Sequence, residues 1–341
     1  MRAVVYDTVG AQPEVRQVPR PECPPDGVVV DVAATGVCRS DWHAWRGHDP
    51  VPLPHVGGHE LAGTVVRTGP SVRRFVVGDR VTVPFVCGCG SCPTCTAGNP
   101  QVCPYQTQPG FTHDGSFAEQ VALNAADANL VWLPAGLDFV AAAALGCRFA
   151  TAYRALVGHA RVAPGETVAV FGCGGVGLSA IMISTALGAR VLAVDVSEVA
   201  LDRARGLGAE GIINASGIDV SAAIHDLGGA DVTLDALGSP ELLDTAVRSL
   251  RRRGRHVQVG LLLDDDAHPA VPMDLVISRE LVIFGSHGMA AADYPSMLTM
   301  ITDGRLDPVR LVGRVITLDD LPAALTAMDT PTADGLVLCV P

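Results

Sequence analysis

The amino-acid sequence predicts an α/β fold in which a doubly wound parallel sheet follows a β-rich region. From Thr167 onward, short apolar runs alternate with helical patterns, which is typical of strands joined by helical crossovers. A glycine-rich turn at 172–177 lies between the first of these runs and the first helix. Before residue 150 the apolar runs are short and separated by Pro and Gly, as in strands joined by turns. A chain of 341 residues is long enough for about two domains.

The parallel sheet is expected to contain six strands with helices between them. We place the strands at Thr167–Phe171, Arg190–Asp195, Gly211–Asn214, Ala230–Leu234, Arg255–Val259 and Leu281–Phe284. Helical patterns lie at 139–145, 198–207, 219–227, 240–250 and about 291–303. The basic run Arg251–Arg253 precedes a strand and is interpreted as the solvated end of a helix, where the helix dipole favours positive charge.

The turn at 172–177 reads GCGGVG and indicates a dinucleotide-binding loop. Gly172 permits a sharp turn, Gly174 lets the backbone approach a pyrophosphate, and Gly177 lets the helix pack closely on the strand. Gly175 and Val176 lie at the start of that helix, whose free N–H groups attract phosphate.

The next strand ends in Asp195. Its carboxylate can accept hydrogen bonds from the adenosine ribose hydroxyls, whereas a 2′-phosphate would meet a like charge. The loop and this acid together indicate NAD(H) rather than NADP(H).

A cysteine-rich stretch at 87–103 predicts a metal-binding lobe. Cys89, Cys92 and Cys95 are each separated by two residues, and Cys103 follows after a short loop. Four thiolates in this pattern are typical of a structural zinc ion with no open coordination position. Cys87 is a fifth thiol in the same lobe and an alternative ligand.

Composition argues against several classes of protein. A net charge of −12 disfavours nucleic acid as a partner. Without an uninterrupted apolar run of about 18 residues, no membrane span is expected. The N-terminus begins with a strand-like segment rather than a signal peptide. The ten cysteines are therefore interpreted as reduced thiols, some of them metal-bound, and the cytoplasm as the expected compartment.

Together these features resemble the zinc-dependent medium-chain dehydrogenases of the alcohol dehydrogenase type. The resemblance rests on GVCRSDWH (36–43), GGHELAG (57–63), GDRV (78–81), the cysteine lobe, LGCRFATAY (145–153) and FGCGGVGLS (171–179). It implies a β-rich GroES-like catalytic domain at 1–150, which carries the lobe 87–103. It further implies an NAD-binding Rossmann domain at 151–286 and a return to the catalytic domain at 287–341.

The resemblance also implies a second metal site. Cys38 and His59 lie too far apart in sequence to indicate a site by themselves. The family likeness adds Cys147 and makes these three residues the ligands of a catalytic zinc, which gives two zinc ions per chain. The open fourth position would let this ion polarise a substrate oxygen.

Proton-handling roles are implied by the same resemblance. Asp41 would hydrogen-bond the far nitrogen of His59 and fix its tautomer. Glu60 would be an outer-shell acid able to bind the metal when water is absent. Ser40 and His43 resemble the family's proton-relay pair, and the ordinary pKa of histidine, about 6.5, suits proton release to solvent.

Cofactor and substrate contacts are implied as well. Arg39 resembles the residue that pairs with the pyrophosphate, and Thr151 the residue that lies against the nicotinamide. Trp42 and Phe85 would line the substrate cleft, and Leu261 is expected to complete this apolar wall.

The expected activity is zinc- and NAD-dependent hydride transfer that interconverts a small-molecule alcohol and its aldehyde or ketone. A polyol or amino-alcohol dehydrogenase is an alternative, for which His113 and His287 would supply polar groups. A non-catalytic sensor that binds zinc and nucleotide is another. By resemblance, the lack of the long insertion carried by some dimeric members after the cysteine lobe favours a homotetramer over a dimer.

Overall fold

The structure is a computed structural model that describes residues 1–330 and 335–341. The chain divides into two compact units. The first unit comprises Met1–Ala150 and Gly288–Pro341, and the second comprises Thr151–His287.

Fifteen strands lie within the described residues. They are β1 (Arg2–Val5), β2 (Glu14–Gln17), β3 (Val28–Val37), β4 (Glu60–Thr68), β5 (Arg80–Thr82), β6 (Gln120–Leu123), β7 (Val131–Trp132), β8 (Thr167–Phe171), β9 (Arg190–Asp195), β10 (Gly211–Asn214), β11 (Ala230–Asp235), β12 (Leu250–Gln258), β13 (Val282–Gly285), β14 (Val312–Thr317) and β15 (Leu336–Val340).

Twelve α-helices accompany them in the same described ranges. They are α1 (Arg39–Arg46), α2 (Pro93–Thr96), α3 (Ala126–Asn129), α4 (Phe139–Ala143), α5 (Ala150–Tyr153), α6 (Gly175–Ala186), α7 (Glu198–Gly206), α8 (Val220–Asp226), α9 (Pro240–Arg248), α10 (Met273–Ser278), α11 (Tyr294–Thr302) and α12 (Leu321–Thr326). Among the described helices, none combines the length and the apolar character needed to cross a bilayer.

The second unit is built on a six-stranded parallel sheet in the order β10-β9-β8-β11-β12-β13. This is the strand order of the doubly wound dinucleotide-binding fold, in which the first strand lies next to the reversal point. Strand β8 is buried along its whole length, as expected for a central parallel strand covered on both faces. The predicted fold of this half is therefore confirmed.

The basic run differs from its prediction. Strand β12 begins at Leu250, so 251–253 belong to a strand rather than to a helix end. The guanidinium of Arg251 pairs with Asp231 at 2.7 Å, and that of Arg253 pairs with Glu280 at 2.9 Å. These acidic partners are distant in sequence. The local pattern of three arginines after a helix therefore could not indicate them, and the prediction of a solvated helix end was wrong.

The first unit contains a seven-stranded sheet in the order β14-β15-β3-β4-β5-β7, with β6 paired to β3. Strand β3 is its longest member and pairs with β4, β6 and β15 in antiparallel register. The C-terminal strands β14 and β15 thus complete a sheet begun by the N-terminal half. Leu61, Val30 and Leu123 belong to the apolar core beneath this sheet.

Candidate active site

Three potential metal ligands meet within the first unit. Cys38 immediately precedes α1, His59 immediately precedes β4, and Cys147 lies in the turn after α4. One ligand atom from each of the three lies within 4.8 Å of the others. Two sulfurs and one imidazole nitrogen are the donor set of a catalytic zinc site, for which alcohol dehydrogenase is itself the standard example.

The turn that carries Cys147 is π-helical. The pattern at 139–145 predicts one helix, but α4 ends at Ala143 and residues Leu145–Phe149 form a π-turn. A Cβ at Gly146 would lie only 3.2 Å from Glu60 Cα, and the Gly146 carbonyl accepts a 3.0 Å hydrogen bond from Phe85 N–H. A glycine therefore lets this turn approach β4, and the wider turn presents the next residue to the site.

The imidazole of His59 is fixed by one neighbour. Its Nδ1 lies 3.0 Å from Asp41 Oδ1, and both side chains are buried. Asp41 also accepts the backbone N–H groups of Cys38 at 2.9 Å and Gly58 at 3.0 Å, so it ties α1 to the histidine loop. In the neutral imidazole, Nδ1 donates to the carboxylate and Nε2 carries the lone pair. This buried Nε2 has no hydrogen-bond partner within the described residues, as a metal-binding nitrogen requires.

The thiols are electrostatically prepared for a cation. A hydrogen bond from Cys147, opposed by burial and aided by the Arg148 guanidinium, holds the pKa of Cys38 well below its usual value. The same hydrogen bond and burial raise the pKa of Cys147 well above its usual value. The cluster therefore carries one thiolate readily, and a divalent cation would favour the second.

Glu60 is paired with Arg148, a residue that the sequence analysis missed. The Glu60 carboxylate is fully buried and accepts the backbone N–H and the Nε–H of Arg148, each at 3.0 Å, and a further bond from its Nη2. Burial raises the pKa of Glu60, and the guanidinium opposes this shift. The Glu60 carboxylate is therefore bound to the Arg148 guanidinium. The position of Arg148 directly after Cys147 was the sequence feature that could have indicated this contact.

The predicted relay residues lie on α1. Ser40 Oγ lies 3.9 Å from Cys38 Sγ. His43 follows three residues later, which puts it on the same helix face as Ser40. The Nδ1 of His43 lies 3.0 Å from Nδ1 of His48, a second residue that the sequence analysis missed.

Aromatic rings flank the His59 imidazole. The ring of Phe85, predicted for the substrate cleft, lies edge-on with its centroid 6.0 Å away. The ring of Phe111, which the sequence analysis missed, lies 5.1 Å away and is buried. These rings make the surroundings of His59 apolar.

Trp42, Arg39 and Leu261 were predicted to contact the substrate or the cofactor, and the structure shows their protein neighbours. The Nε1–H of Trp42 donates to Asp329 Oδ1 at 2.8 Å, and the Arg39 guanidinium lies 4.7 Å above the Trp42 ring. Arg39 also donates to the Met328 carbonyl at 2.6 Å. Leu261 belongs to the second unit, where its side chain is 57% exposed.

Thr151, His113 and His287 occupy three separate settings. Thr151 is the first residue of the second unit and is buried. His113 belongs to the first unit, and its Nδ1 lies 3.0 Å from Thr112 Oγ1. His287 is the last residue of the second unit and is exposed.

The cysteine lobe brings four sulfurs together. Cys89, Cys92, Cys95 and Cys103 each place Sγ within 4.8 Å of the others. Cys87 is outside this group. Its thiol lies 3.6 Å from the Pro84 carbonyl within the apolar core, and burial raises its pKa to about 12.

Backbone amides prepare the lobe for thiolates. The N–H groups of Cys92 and Cys95 donate to Cys89 Sγ at 3.4 Å and Cys92 Sγ at 3.5 Å, respectively. Cys103 Sγ accepts the N–H of Tyr105 at 3.3 Å. Amide donors lower the pKa of Cys89 to about 6 and also lower that of Cys92. Such bonds stabilise thiolate ligands, so this donor set fits a closed tetrahedral zinc site.

The glycine loop of the second unit has the shape that a dinucleotide requires. Gly172 has a φ of +90°, and an added Cβ would lie 2.5 Å from Leu237. A Cβ at Gly177 would lie 1.7 Å from the Gly172 oxygen. A Cβ at Gly174 would meet nothing within 4 Å, so the loop is open there. The turn and the helix start are closely packed, and the middle leaves room for phosphate.

Asp195 ends β9 and also binds the loop. Its Oδ2 accepts the Cys173 N–H at 2.6 Å, and its Oδ1 accepts the Ser197 N–H at 2.9 Å. Each carboxylate oxygen keeps a second lone pair for a ribose hydroxyl.

Known proteins share both the domains and the whole-chain fold. Residues 24–135 match the alcohol dehydrogenase GroES-like domain, and residues 175–303 match the zinc-binding dehydrogenase domain. An alcohol dehydrogenase from Geobacillus stearothermophilus is 34% identical over 91% of both chains. A sorbitol dehydrogenase from Halalkalibacterium halodurans is 31% identical over 95% of this chain and 94% of its own.

Solved structures agree with these relatives. Alcohol dehydrogenase TADH from Thermus sp. ATN1 superimposes with a TM-score of 0.93 at 31% identity, covering 100% of this chain and 99% of that one. The alcohol dehydrogenase of Aeropyrum pernix has a TM-score of 0.89 at 27% identity and full coverage of both chains. The expected Rossmann sheet with a β-rich GroES-like domain is confirmed. This chain belongs to the zinc-dependent medium-chain alcohol dehydrogenase family, whose members interconvert alcohols and carbonyl compounds.

Proposed function

We propose that this enzyme is an NAD(H)-dependent alcohol dehydrogenase with two zinc ions per chain. The catalytic ion would be held by Cys38, His59 and Cys147, and the structural ion by the four cysteines of the lobe 89–103. One observation carries the catalytic assignment. The buried Nε2 of His59 has no partner in the described parts of the chain, although its Nδ1 is firmly held and two thiols lie beside it.

The residues around this site divide the work of the reaction. When bound, zinc would polarise the substrate oxygen and the nicotinamide would exchange a hydride with the substrate carbon. Asp41 keeps His59 in the tautomer that offers Nε2, and the rings of Phe85 and Phe111 limit access of water. Ser40 and His43 would carry the hydroxyl proton towards solvent.

The cofactor preference rests on the second unit. The open position at Gly174 suits a pyrophosphate, and the Asp195 carboxylate suits a ribose with free hydroxyls. A 2′-phosphate beside Asp195 would bring two negative charges together, so we propose NAD(H). Arg39 and Thr151 are proposed as further cofactor contacts by their family likeness alone.

A small apolar alcohol, aldehyde or ketone is the favoured substrate class. The buried Phe111 beside His59 supports this choice, because an aromatic wall offers a polyol no hydrogen bonds. The similarity to a sorbitol dehydrogenase supports the polyol alternative. His113, two residues after Phe111 in the same loop, is a polar candidate for that alternative.

We further propose a homo-oligomer, with a tetramer favoured, acting in the cytoplasm. The edge strand β13 exposes Val282 by 42% and Ile283 by 38%, and α10 exposes Ile277 by 74%. An exposed apolar strand edge is a surface that proteins usually cover by pairing. Two clusters built from reduced thiols suit a reducing compartment.

The decisive experiment is an alcohol panel with zinc analysis. Primary, secondary, aromatic and polyol substrates are supplied with NAD or NADP, and the reduced cofactor is followed at about 340 nm. We expect turnover of apolar alcohols with NAD and about two zinc ions per chain. Turnover of polyols alone would favour the alternative, and no turnover with any alcohol or carbonyl compound would contradict the enzymatic proposal.

A further inference from the structure

The C-terminus of α1 brings two histidines together. Gly47 follows the helix with a φ of 82°, and its N–H donates to the Ala44 carbonyl at 3.1 Å. The N–H of His48 then donates to the His43 carbonyl at 2.9 Å. This pair of bonds is the Schellman motif, which places the side chain two residues beyond the helix against the one three residues before its end. In this chain the two side chains are both imidazoles.

The two rings are held as a pair. Their Nδ1 atoms are 3.0 Å apart, and their centroids are 5.3 Å apart. The Trp42 ring lies edge-on to both, at 5.0 Å from His43 and 5.4 Å from His48. Trp42 is itself anchored to Asp329, which is paired with Arg46. His43 is half-buried and His48 is exposed, so the pair runs from the protein towards solvent.

An Nδ1–Nδ1 hydrogen bond contains one hydrogen atom. If both imidazoles were protonated, two N–H groups would face each other and the bond would be lost. We propose that His48 is a positioning residue for His43 in the proton relay, and that the two imidazoles share one ionising proton. This inference rests on the proposed function, in which His43 receives the substrate proton.

The bond prepares His43 to act as a base. When Nδ1 of neutral His48 accepts, His43 keeps its Nδ1–H and offers its lone pair at Nε2. A proton that arrives at Nε2 forms a new N–H bond, and the Nδ1–H···Nδ1 bond becomes charge-assisted. Transfer of this proton from Nε2 to water then restores the starting tautomer. Each turnover therefore passes one proton to solvent.

The charges around the pair favour the neutral base. Burial lowers the pKa of His43, and the charges of His48 and Arg39 act in the same direction. The Cys38 thiolate and Asp49 oppose this shift. The Asp329 carboxylate is balanced by the Arg46 guanidinium. These effects keep His43 in its neutral form, whose Nε2 lone pair can accept a proton.

The test compares two substitutions of His48. His48→Ala removes the acceptor, so part of the His43 population takes the tautomer with Nε2 blocked, and we expect an about fivefold lower kcat for alcohol oxidation. The KM for NAD should stay within about twofold, because His48 acts through His43 and not on the cofactor. His48→Asn places an amide oxygen near the position of Nδ1 and should restore kcat to within about twofold of wild type.

The matched control is His225→Asn, which removes another exposed histidine, one in the second unit that bonds the Arg248 carbonyl. It should leave kcat unchanged. Wild-type kcat in His48→Ala, or failure of His48→Asn to restore it, would overturn the inference.

The pH profile separates positioning from general support of the fold. In wild type the pair takes up one added proton, which either imidazole can hold. Whichever ring holds it, Nε2 of His43 carries a hydrogen and cannot accept the substrate proton. His48→Asn leaves a single ionising site, so the acid limb of kcat should move to lower pH by several tenths of a unit. An unmoved limb would contradict proton sharing.

His43→Ala distinguishes the two levels of the proposal. It should lower kcat about tenfold or more. If it is slow while His48→Ala is as fast as wild type, only the His48 inference fails. If His43→Ala is as fast as wild type, the relay of the proposed function fails and the inference fails with it.

Discussion

The two cysteine clusters of the first unit differ in how the chain assembles them. The lobe takes all four ligands from residues 89–103, of which Cys89 and Cys95 are half-buried and Cys92 and Cys103 are buried. The other cluster takes its ligands from Cys38, His59 and Cys147, of which the first two are buried and the third is half-buried. The first cluster follows from local spacing, whereas the second exists only after β3, β4 and the π-turn have come together. Local chain geometry can build a structural metal site, but a site assembled from distant segments requires the folded domain.

Charge separates the clusters as well. Four thiolates around a divalent zinc give a net charge of about −2 and leave no open position. Two thiolates and a neutral imidazole bring the charge close to zero and leave one position open. We therefore expect damage to the first cluster to lower stability and damage to the second to lower activity.

The largest expected effect is that of Cys147→Ala. Removal of one of three ligands should lower kcat by at least about 1,000-fold, because the ion that polarises the substrate is lost or misplaced. Zinc should fall from about two to about one per chain, with little change in Tm. Cys23→Ala, which removes a thiol outside both clusters, is the control. Retained activity in Cys147→Ala would reject the ligand assignment.

The next effect is that of Asp41→Asn. The carboxylate accepts the His59 Nδ1–H and two backbone N–H groups, and an amide cannot accept all three through equivalent oxygens. We expect an about 10- to 100-fold loss of kcat/KM or of zinc affinity at the three-ligand site. The lobe should keep its zinc. Metal analysis after chelation distinguishes the two sites. Equal zinc loss from both sites would contradict the proposed division into a catalytic and a structural cluster.

The smallest effect on catalysis is expected for Cys95→Ala. Loss of the structural ion should cost about 3 kcal/mol of the free energy of unfolding and lower Tm by about 6–12 °C. At a temperature well below the transition, kcat should stay within about twofold of wild type. Calorimetry and steady-state kinetics on one preparation check both parts. An unchanged Tm would mean that the cysteine lobe does not stabilise the fold.

Local patterns accounted for much of the fold. The glycine loop, the strand at Arg190–Asp195 and the cysteine lobe were predicted because each depends on neighbours within a short stretch. The helix at 139–145 was wrong at its end, because packing of Gly146 beside β4 imposes a π-turn that no local pattern encodes.

The residues missed by sequence reasoning show the same division. Arg148 and Glu60 are distant in sequence, and Phe111 approaches His59 from a loop, so both contacts follow from tertiary structure. The contact of His48 was readable in principle. A glycine just after a helix predicts that its next neighbour folds back onto the last turn.

The carboxylate of Asp195 has a bearing on attempts to switch the coenzyme. Since its Oδ2 accepts the first amide hydrogen after Gly172, the side chain that would reject a 2′-phosphate also braces the phosphate-binding turn. A designer who deletes the negative charge there would loosen that turn for either coenzyme. A successful redesign must provide a substitute acceptor for this amide in the same step.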